Sequence, residues 1–284
     1  MENTSFLDII KMRKSTRRFI IENLDIEFIN KILSETKDFI QLSGYKVKFI
    51  PVLKNKELEK SFKTAFGDFG KLLNAPLYAG IATDKNYENC LTNIGFIGEQ
   101  MILKLTEAGF STCWHATRNL QVFRKPFNIT DDEIMPSLIS IGHAATDFQS
   151  KLINKMMGKT SGKRKKLKDI IFKENGKNKT DKKFLTEIGL LEVFEGARLA
   201  PSWHNVQPWH FILKDNTVFL IISLDEKRYK ARAVEEKMHY HMIDMGIIMS
   251  HLSIGLKENN KNFDWNIINK KDISSVRKEL AMKD

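Results

Sequence analysis

The sequence predicts an α+β chain made of two degenerate repeats, and three observations support that class. Short apolar runs of strand length alternate with segments of helical spacing. The two halves echo each other. Leu77-Tyr-Ala-Gly-Ile-Ala-Thr-Asp84-Lys85 resembles Phe219-Leu-Ile-Ile-Ser-Leu-Asp225-Glu226-Lys227, each a strand followed by Asp, a loop and a Tyr (Tyr87, Tyr229). The 284 residues are 42% hydrophobic and 29% charged, with 15 Gly and 6 Pro, which is globular rather than disordered composition.

The elements follow in order. Phe6, Ile9, Ile10 and Met12 predict a short helix with Thr4 or Ser5 as its cap. Ile29, Ile32 and Leu33 give Ile26 to Phe39 helical spacing. Val47 to Leu53 and Leu77 to Thr83 read as strands. Asn89 to Gly109 is a helix with Gly109 as its C-terminal stop. Leu138 to Ile141 is a buried strand ending at Gly142. Leu167 to Phe172 reads as a short helix, and Phe184 to Leu199 as a longer one. An irregular segment from Pro201 enters a strand at Phe211, and Val218 to Leu224 is a second strand. Met238 to Leu256 is a helix ended near Gly255. The tail from Phe263 reads as a strand and then a polar helix. Ile97 to Phe110 resembles Ile243 to Leu256, which matches Gly109 to Gly255 at the two helix ends.

The formal net charge is +11, which raises nucleic acid, anionic lipid or phosphate as partners. Its location narrows the choice. Lys151 to Lys183 holds 13 basic residues against Asp169, Glu174 and Asp181, so +10 falls on 33 residues. The rest of the chain is near neutral. Two cysteines, Cys90 and Cys113, exclude a disulfide scaffold, a CxxC redox pair and a cysteine zinc site. No stretch approaches the ~20 apolar residues of a spanning helix, and Met1 to Arg18 lacks a signal-peptide core. A cytoplasmic protein without a membrane partner is expected.

Two constellations carry chemistry. Pro201-Ser202-Trp203-His204-Asn205-Val206-Gln207-Pro208-Trp209 concentrates prolines, tryptophans and hydrogen-bonding side chains. Such a loop can present polar groups to a planar heteroaromatic ligand. A Pro-bounded turn with Trp209 in the core satisfies the same residues. Arg13-Lys14-Ser15-Thr16-Arg17 offers three cations and short donors suited to an anion. A solvated helix end, with cations at the negative dipole terminus, is the other reading.

Together these segments resemble the FMN-dependent nitroreductase family. Its N-terminal R-[RK]-S-x-R stands here as Arg13-Lys14-Ser15-Thr16-Arg17, and its A-R-x-A-P-S-x-x-N-x-Q-P-W-x-F as Ala197 to Phe211. Ala108 to Trp114 resembles the helix end and loop beside the flavin ring, and Leu138 to His143 the last core strand. Arg164-Lys165-Lys166-Leu167 resembles the R-K-P-L phosphate-binding end, with Lys166 in place of Pro. In ordinary members the P-S-x-x-N segment follows R-x-S-x-R closely, within a homodimer. Here that slot, Asp38 to Phe49, has lost it, and it returns after residue 200. The second half has no R-x-S-x-R of its own.

The resemblance therefore implies a nitroreductase-like fold, with a mixed or antiparallel sheet flanked by helices. The two repeats would form an intramolecular pseudo-dimer, so a monomer is favoured. It divides the chain into a first repeat (1–150), a basic linker with a phosphate-binding segment (151–183) and a shorter second repeat (184–284). It implies one FMN, with Arg13, Lys14 and Ser15 on the phosphate and ribityl chain and Arg17 at the pyrimidine edge. Trp114, His115 and Ala116 would approach N5, near Gly142. Arg164 and Lys166 would clamp the phosphate, and Pro201, Ser202, Asn205 and Gln207 would cover the ring. The implied activity passes hydride from NAD(P)H through FMN to a small-molecule acceptor such as a nitroaromatic or quinone. No side chain need act as acid or base, so no catalytic residue is named. His115, His143 and His204 lie near the implied site.

Weaker signals lose to ordinary readings. Gly158-Lys159-Thr160 lacks the upstream Gly and strand of a nucleotide-binding loop. Glu236, His239, His241 and Asp244 show half of a di-iron pattern without a second copy. Met238, Met242, Met245 and Met249 fit helix packing better than a ligand patch. A nucleic-acid-binding module on Lys151–Lys183 is the rival function, weakened because only Phe172 interleaves with the cations. A flavin-binding protein without catalysis is the other alternative.

Overall fold

The computed structural model describes residues 5–42, 44, 46–66, 74–117, 119–146, 163–174, 178–222 and 240–268. Gly158 to Thr160, Glu236 to His239, residues 151–162 and 175–177 of the basic segment and residues 269–284 of the tail lie outside them. Helix α1 (Phe6–Met12) starts at Ser5, whose Oγ accepts from the Asp8 amide. Helix α2 (Ile26–Ser34) starts at Asp25, which accepts from the Phe28 amide at 2.9 Å. It stops short of the predicted Phe39 for a tertiary reason. Gln100 pairs with both backbone groups of Ile40, each at 2.9 Å, and Lys104 Nζ takes the Glu35 carboxylate at 3.0 Å. Those bonds draw the chain away from the helix axis.

Strands β1 (Lys48–Leu53), β2 (Leu77–Asp84), β3 (Ser111–Ala116) and β4 (Glu133–Gly142) form an antiparallel sheet in the order β1-β2-β4-β3. Helix α3 (Lys56–Phe66) and the short α5 (Gln121–Arg124) cover one face, where Phe62, Tyr78, Phe123 and Phe127 pack. Helix α4 (Cys90–Glu107) covers the other with Ile94, Met101 and Leu105. The sheet is thus buried on both faces, and β2 shows a continuous apolar run in place of alternation.

After the first sheet, a single 3-10 turn (Leu167–Asp169) leads into β5 (Ile171–Lys173), where a helix over Leu167 to Phe172 was expected. Strand β5 runs parallel to β7 (Trp209–Lys214), with Ile171 opposite Phe211, and that pairing extends the backbone. Strands β6 (Asn178–Lys179) and β8 (Thr217–Ile222) complete a second sheet, in the order β6-β5-β7-β8. A segment that precedes the second repeat in sequence thereby joins its sheet. The predicted helix from Phe184 to Leu199 is two helices, α6 (Lys182–Glu187) and α7 (Leu191–Ala197). They part at Gly189, which takes φ +67°, while Leu190 N bonds back to Leu185 O at 2.8 Å. Phe263 to Ile268 shows no strand.

Helix α8 (Tyr240–Glu258) packs along α4 at the centre of the molecule. Two glycines permit the approach. A Cβ on Gly95 would lie 2.1 Å from the Ile243 carbonyl oxygen, and one on Gly246 would lie 1.9 Å from the Thr92 carbonyl oxygen. A shift of 151 positions turns the first contact into the second: Gly95 becomes Gly246 and Thr92 becomes Ile243. That reciprocity is the mark of a two-fold interface, here within one chain. The same shift relates the helix ends. Gly109 N and Phe110 N bond Thr106 O and Leu105 O at 3.0 and 2.9 Å; Asn260 N and Lys261 N bond Lys257 O and Leu256 O at 3.1 and 2.9 Å. Gly109 and Asn260 both take positive φ, +88° and +53°. The match of Gly109 to Gly255 is therefore corrected to Asn260, because α8 runs past Gly255 and ends where α4 ends. The fold is α+β, with two degenerate repeats forming an intramolecular pseudo-dimer.

Candidate functional site

Residues just after α1 run beside β3. Ser15 bridges Thr112, and the Thr16 amide donates to the Thr112 carbonyl at 2.9 Å. That contact carries the Arg13–Arg17 segment onto Ser111–Ala116. Arg17 bears on both Cys113 and His115. Burial, with the Arg17 charge second, holds the His115 imidazole down to about 4. Its Nε2 lies 3.0 Å from Ser140 Oγ. Burial pushes the Cys113 thiol up, against Arg17 and Arg13. Gly142 faces Ser111 at the end of β4 and is tucked under Phe19 and Pro76.

Arg13 is buried, and its Nε has no hydrogen-bond partner. Arg164 stands just before the 3-10 turn that leads into the second sheet. Burial and then the Arg13 charge lower its guanidinium to about 10, with Glu99 opposing. Two guanidinium groups thus share one largely dehydrated region, an arrangement that calls for an anion. Lys166 precedes the 3-10 turn at Leu167, and Lys14 is exposed beside Arg13.

The Pro201 loop latches onto this clamp. Asn205 Oδ1 accepts from an Arg164 Nη, and its Nδ2 donates to Lys163 O at 2.9 Å. Gln207 is buried; its Oε1 accepts from the Lys165 amide at 2.8 Å and its Nε2 donates to Lys163 O at 3.1 Å. Ser202 Oγ accepts from the Gln207 amide at 2.8 Å. Asn205 and Gln207 therefore direct amide groups at 163–165. His204, Asn205 and Gln207 take φ of +49°, +56° and +51°. Three left-handed non-glycine residues in so short a span cost energy, and the latch bonds hold them there. Trp209 is fully buried in the core, as the turn reading expects. Trp203 stacks on Tyr240 at 5.8 Å, and its amide donates to buried Asp244 at 2.9 Å.

Sequence reasoning missed the group at the centre. Glu99 on α4 is fully buried. Its Oε2 accepts from Trp114 Nε1 at 2.7 Å, and its Oε1 lies 3.0 Å from His251 Nε2 and 3.8 Å from Arg13 Nε. The available signal was a single acidic residue inside the apolar run from Ile94 to Leu105. His251 lies on α8 in the second repeat. His143, also near the implied site, sits at the surface and pairs with Glu22.

The sequence matches the family described as "Putative TM nitroreductase" over residues 5–256. The chain belongs to this nitroreductase family. No curated protein matches it. A crystal structure of a putative nitroreductase from Thermotoga maritima is similar over 95% of this chain and 92% of that one, at 21% identity and a TM-score of 0.58. That likeness extends through both repeats and shows the fold. A Bacteroides fragilis nitroreductase with bound FMN covers 50% of this chain and 90% of that one, at 15% identity and a TM-score of 0.42. An FMN-dependent nitroreductase from Clostridium difficile covers 52% and 94%, at 25% identity and a TM-score of 0.42. Among the described residues no helix is long and apolar enough to cross a membrane, and no cluster of side chains could hold a metal.

Proposed function

We propose that this nitroreductase-family chain binds a single FMN between its repeats and passes reducing equivalents from NAD(P)H to a small-molecule acceptor. The acceptor class is a nitroaromatic, quinone or similar compound. The observation that supports the reading is the pair Arg13 and Arg164, two largely buried guanidinium groups close enough for the Arg13 charge to lower Arg164, with Arg13 Nε making no hydrogen bond. A flavin phosphate bears nearly two negative charges, which suits two converging guanidinium groups. The residues present fit that group. Arg13, Ser15 and Arg164 would hold the phosphate end, with Lys14 and Lys166 at its rim. Arg17, β3 and Gly142 would border the ring, and the loop from Pro201 to Gln207 would close the site from the second repeat.

When bound, FMN supplies hydride acceptance and donation in a ping-pong scheme. The chain's own task is to orient and to shape charge. Arg17 places a cation beside Cys113 and His115, where it would favour an anionic reduced ring. His115, held neutral by burial, supports β3 through Ser140 and moves no proton at neutral pH. Residues 1–150, 151–183 and 184–284 are proposed as first repeat, linker and second repeat. A role in the cytoplasm is part of the same proposal.

The test is a visible spectrum of the purified protein before and after NADH and NADPH. A band near ~450 nm that bleaches with either donor, at one flavin per chain, is expected. A colourless chain that takes up no FMN overturns the reading. Two flavins per chain would overturn the single shared site. Bleaching without turnover on any acceptor would favour flavin binding without catalysis.

A further inference from the structure

Glu99 touches three elements that meet at the candidate site. Trp114 belongs to β3, Arg13 follows α1, and His251 comes from the second repeat. Glu99 and His251 are both fully buried, on the facing helices α4 and α8.

Their proton can be placed by counting acceptors. His251 Nδ1 lies 3.1 Å from the Gly196 carbonyl oxygen, which can only accept, so Nδ1 carries a hydrogen. Nε2 faces a carboxylate oxygen at 3.0 Å. A bare Nε2 against a bare carboxylate would set two lone pairs against each other in a dry interior. One proton therefore lies between Nε2 and Oε1, and the pair is neutral as a unit whichever atom holds it.

We infer that Glu99 is a positioning residue. Its carboxylate fixes the Arg13 guanidinium and the Trp114 indole in one arrangement, and His251 anchors it across the repeat interface. Because the His251 proton neutralises the carboxylate, Glu99 aligns Arg13 without cancelling its charge toward the phosphate. Arg13 Nε stands 3.8 Å from Glu99 Oε1, an ion-pair distance without a hydrogen bond, so the contact orients Arg13 while His251 takes up part of the carboxylate's charge. The inference rests on the FMN reading above.

The test compares FMN with riboflavin, which lacks the phosphate, by flavin fluorescence titration of the purified full chain. Glu99→Gln keeps the shape and the net charge of the pair but replaces the carboxylate that faces both His251 and Arg13 with an amide. It should weaken FMN about tenfold, or ~1.4 kcal/mol, and riboflavin by less than about threefold. In an Arg13→Gln background the further effect of Glu99→Gln on FMN should vanish, since the residue acts through Arg13. Glu99→Asp withdraws the carboxylate by one methylene and is the second variant if Glu99→Gln does not fold. It should show the same phosphate-selective loss at smaller size.

Equal losses for FMN and riboflavin, or full additivity with Arg13→Gln, overturn the positioning role while the FMN reading stands. A wild-type chain that binds no FMN overturns both.

Discussion

Substituting Gly95 by Ala tests the helix contact on which the pseudo-dimer depends. The added Cβ would sit 2.1 Å from the Ile243 carbonyl oxygen and 2.9 Å from its carbon. A carbon and a carbonyl oxygen come no closer than ~3.3 Å, so α4 and α8 must separate by about 1 Å. The obstacle is backbone, which no rotamer change relieves. Overpacking of this kind costs ~1–3 kcal/mol, and the upper end applies. Alanine returns ~0.5–1 kcal/mol through helix propensity. The net loss is then about 2 kcal/mol, which for a chain of this size lowers Tm by roughly 4–8 °C. Gly246→Ala meets the Thr92 carbonyl oxygen at 1.9 Å and should cost as much. The double variant should cost less than the sum, because separation caused by one substitution admits the other. Gly44→Ala, whose Cβ would meet nothing within 4 Å, is the control. Thermal unfolding by circular dichroism reads all four. A Gly95→Ala Tm at or above that of the wild type would refute the close crossing and the two-fold relation drawn from it.

Arg13→Ala and Arg164→Ala should each weaken FMN by at least about tenfold, since charge-assisted bonds are worth ~1.5–3 kcal/mol; retention of full occupancy in both at low FMN would contradict the clamp. Gln207→Ala strips buried partners from Lys163 and Lys165 and should cost ~1–3 kcal/mol in urea unfolding, with weaker FMN binding. His115 carries a pH signature: its imidazole is held at about 4 when folded, against 6.5 as the ordinary value. Above pH 6.5 both states are neutral and nothing is lost; as pH falls toward 4 the unfolded chain alone takes up a proton, so stability declines. Between pH 7 and pH 5 the loss should be about 2 kcal/mol, and His115→Gln should remove that part of the slope in urea melts at the two pH values.

Much of this molecule was legible in the chain. The cap at Thr4 or Ser5, the stop at Gly109 and the apolar runs of β1, β2 and β4 all follow from local chemistry. The motif segments also announced themselves, because they concentrate residue types with few structural uses. Helix α3 and strand β3 were not read as elements. Leu58, Phe62 and Phe66 give α3 helical spacing, but five charged residues surround them, and Ser111–Ala116 becomes a strand by pairing with β4. The register of the repeat was also misplaced, since a glycine near a helix end looks like a stop. Gly255 instead lies against Val193 of α7, and the stop falls at Asn260.

The +11 charge illustrates the same division. Sequence alone located it in one segment and proposed a phosphate clamp there. Sequence alone also located several of the helices and strands, the repeat and the family signature, because caps, periodicity and motif spacing act over a few residues. Only the tertiary structure decided that Ile171–Lys173 joins the second repeat's sheet, and that Arg13 and Arg164 converge. It alone showed that Glu99 and His251, 152 positions apart, face each other in the core. Long-range pairing and burial set these features: a proton shared in a dry interior depends on which atoms surround it, and no local pattern of residues specifies those atoms.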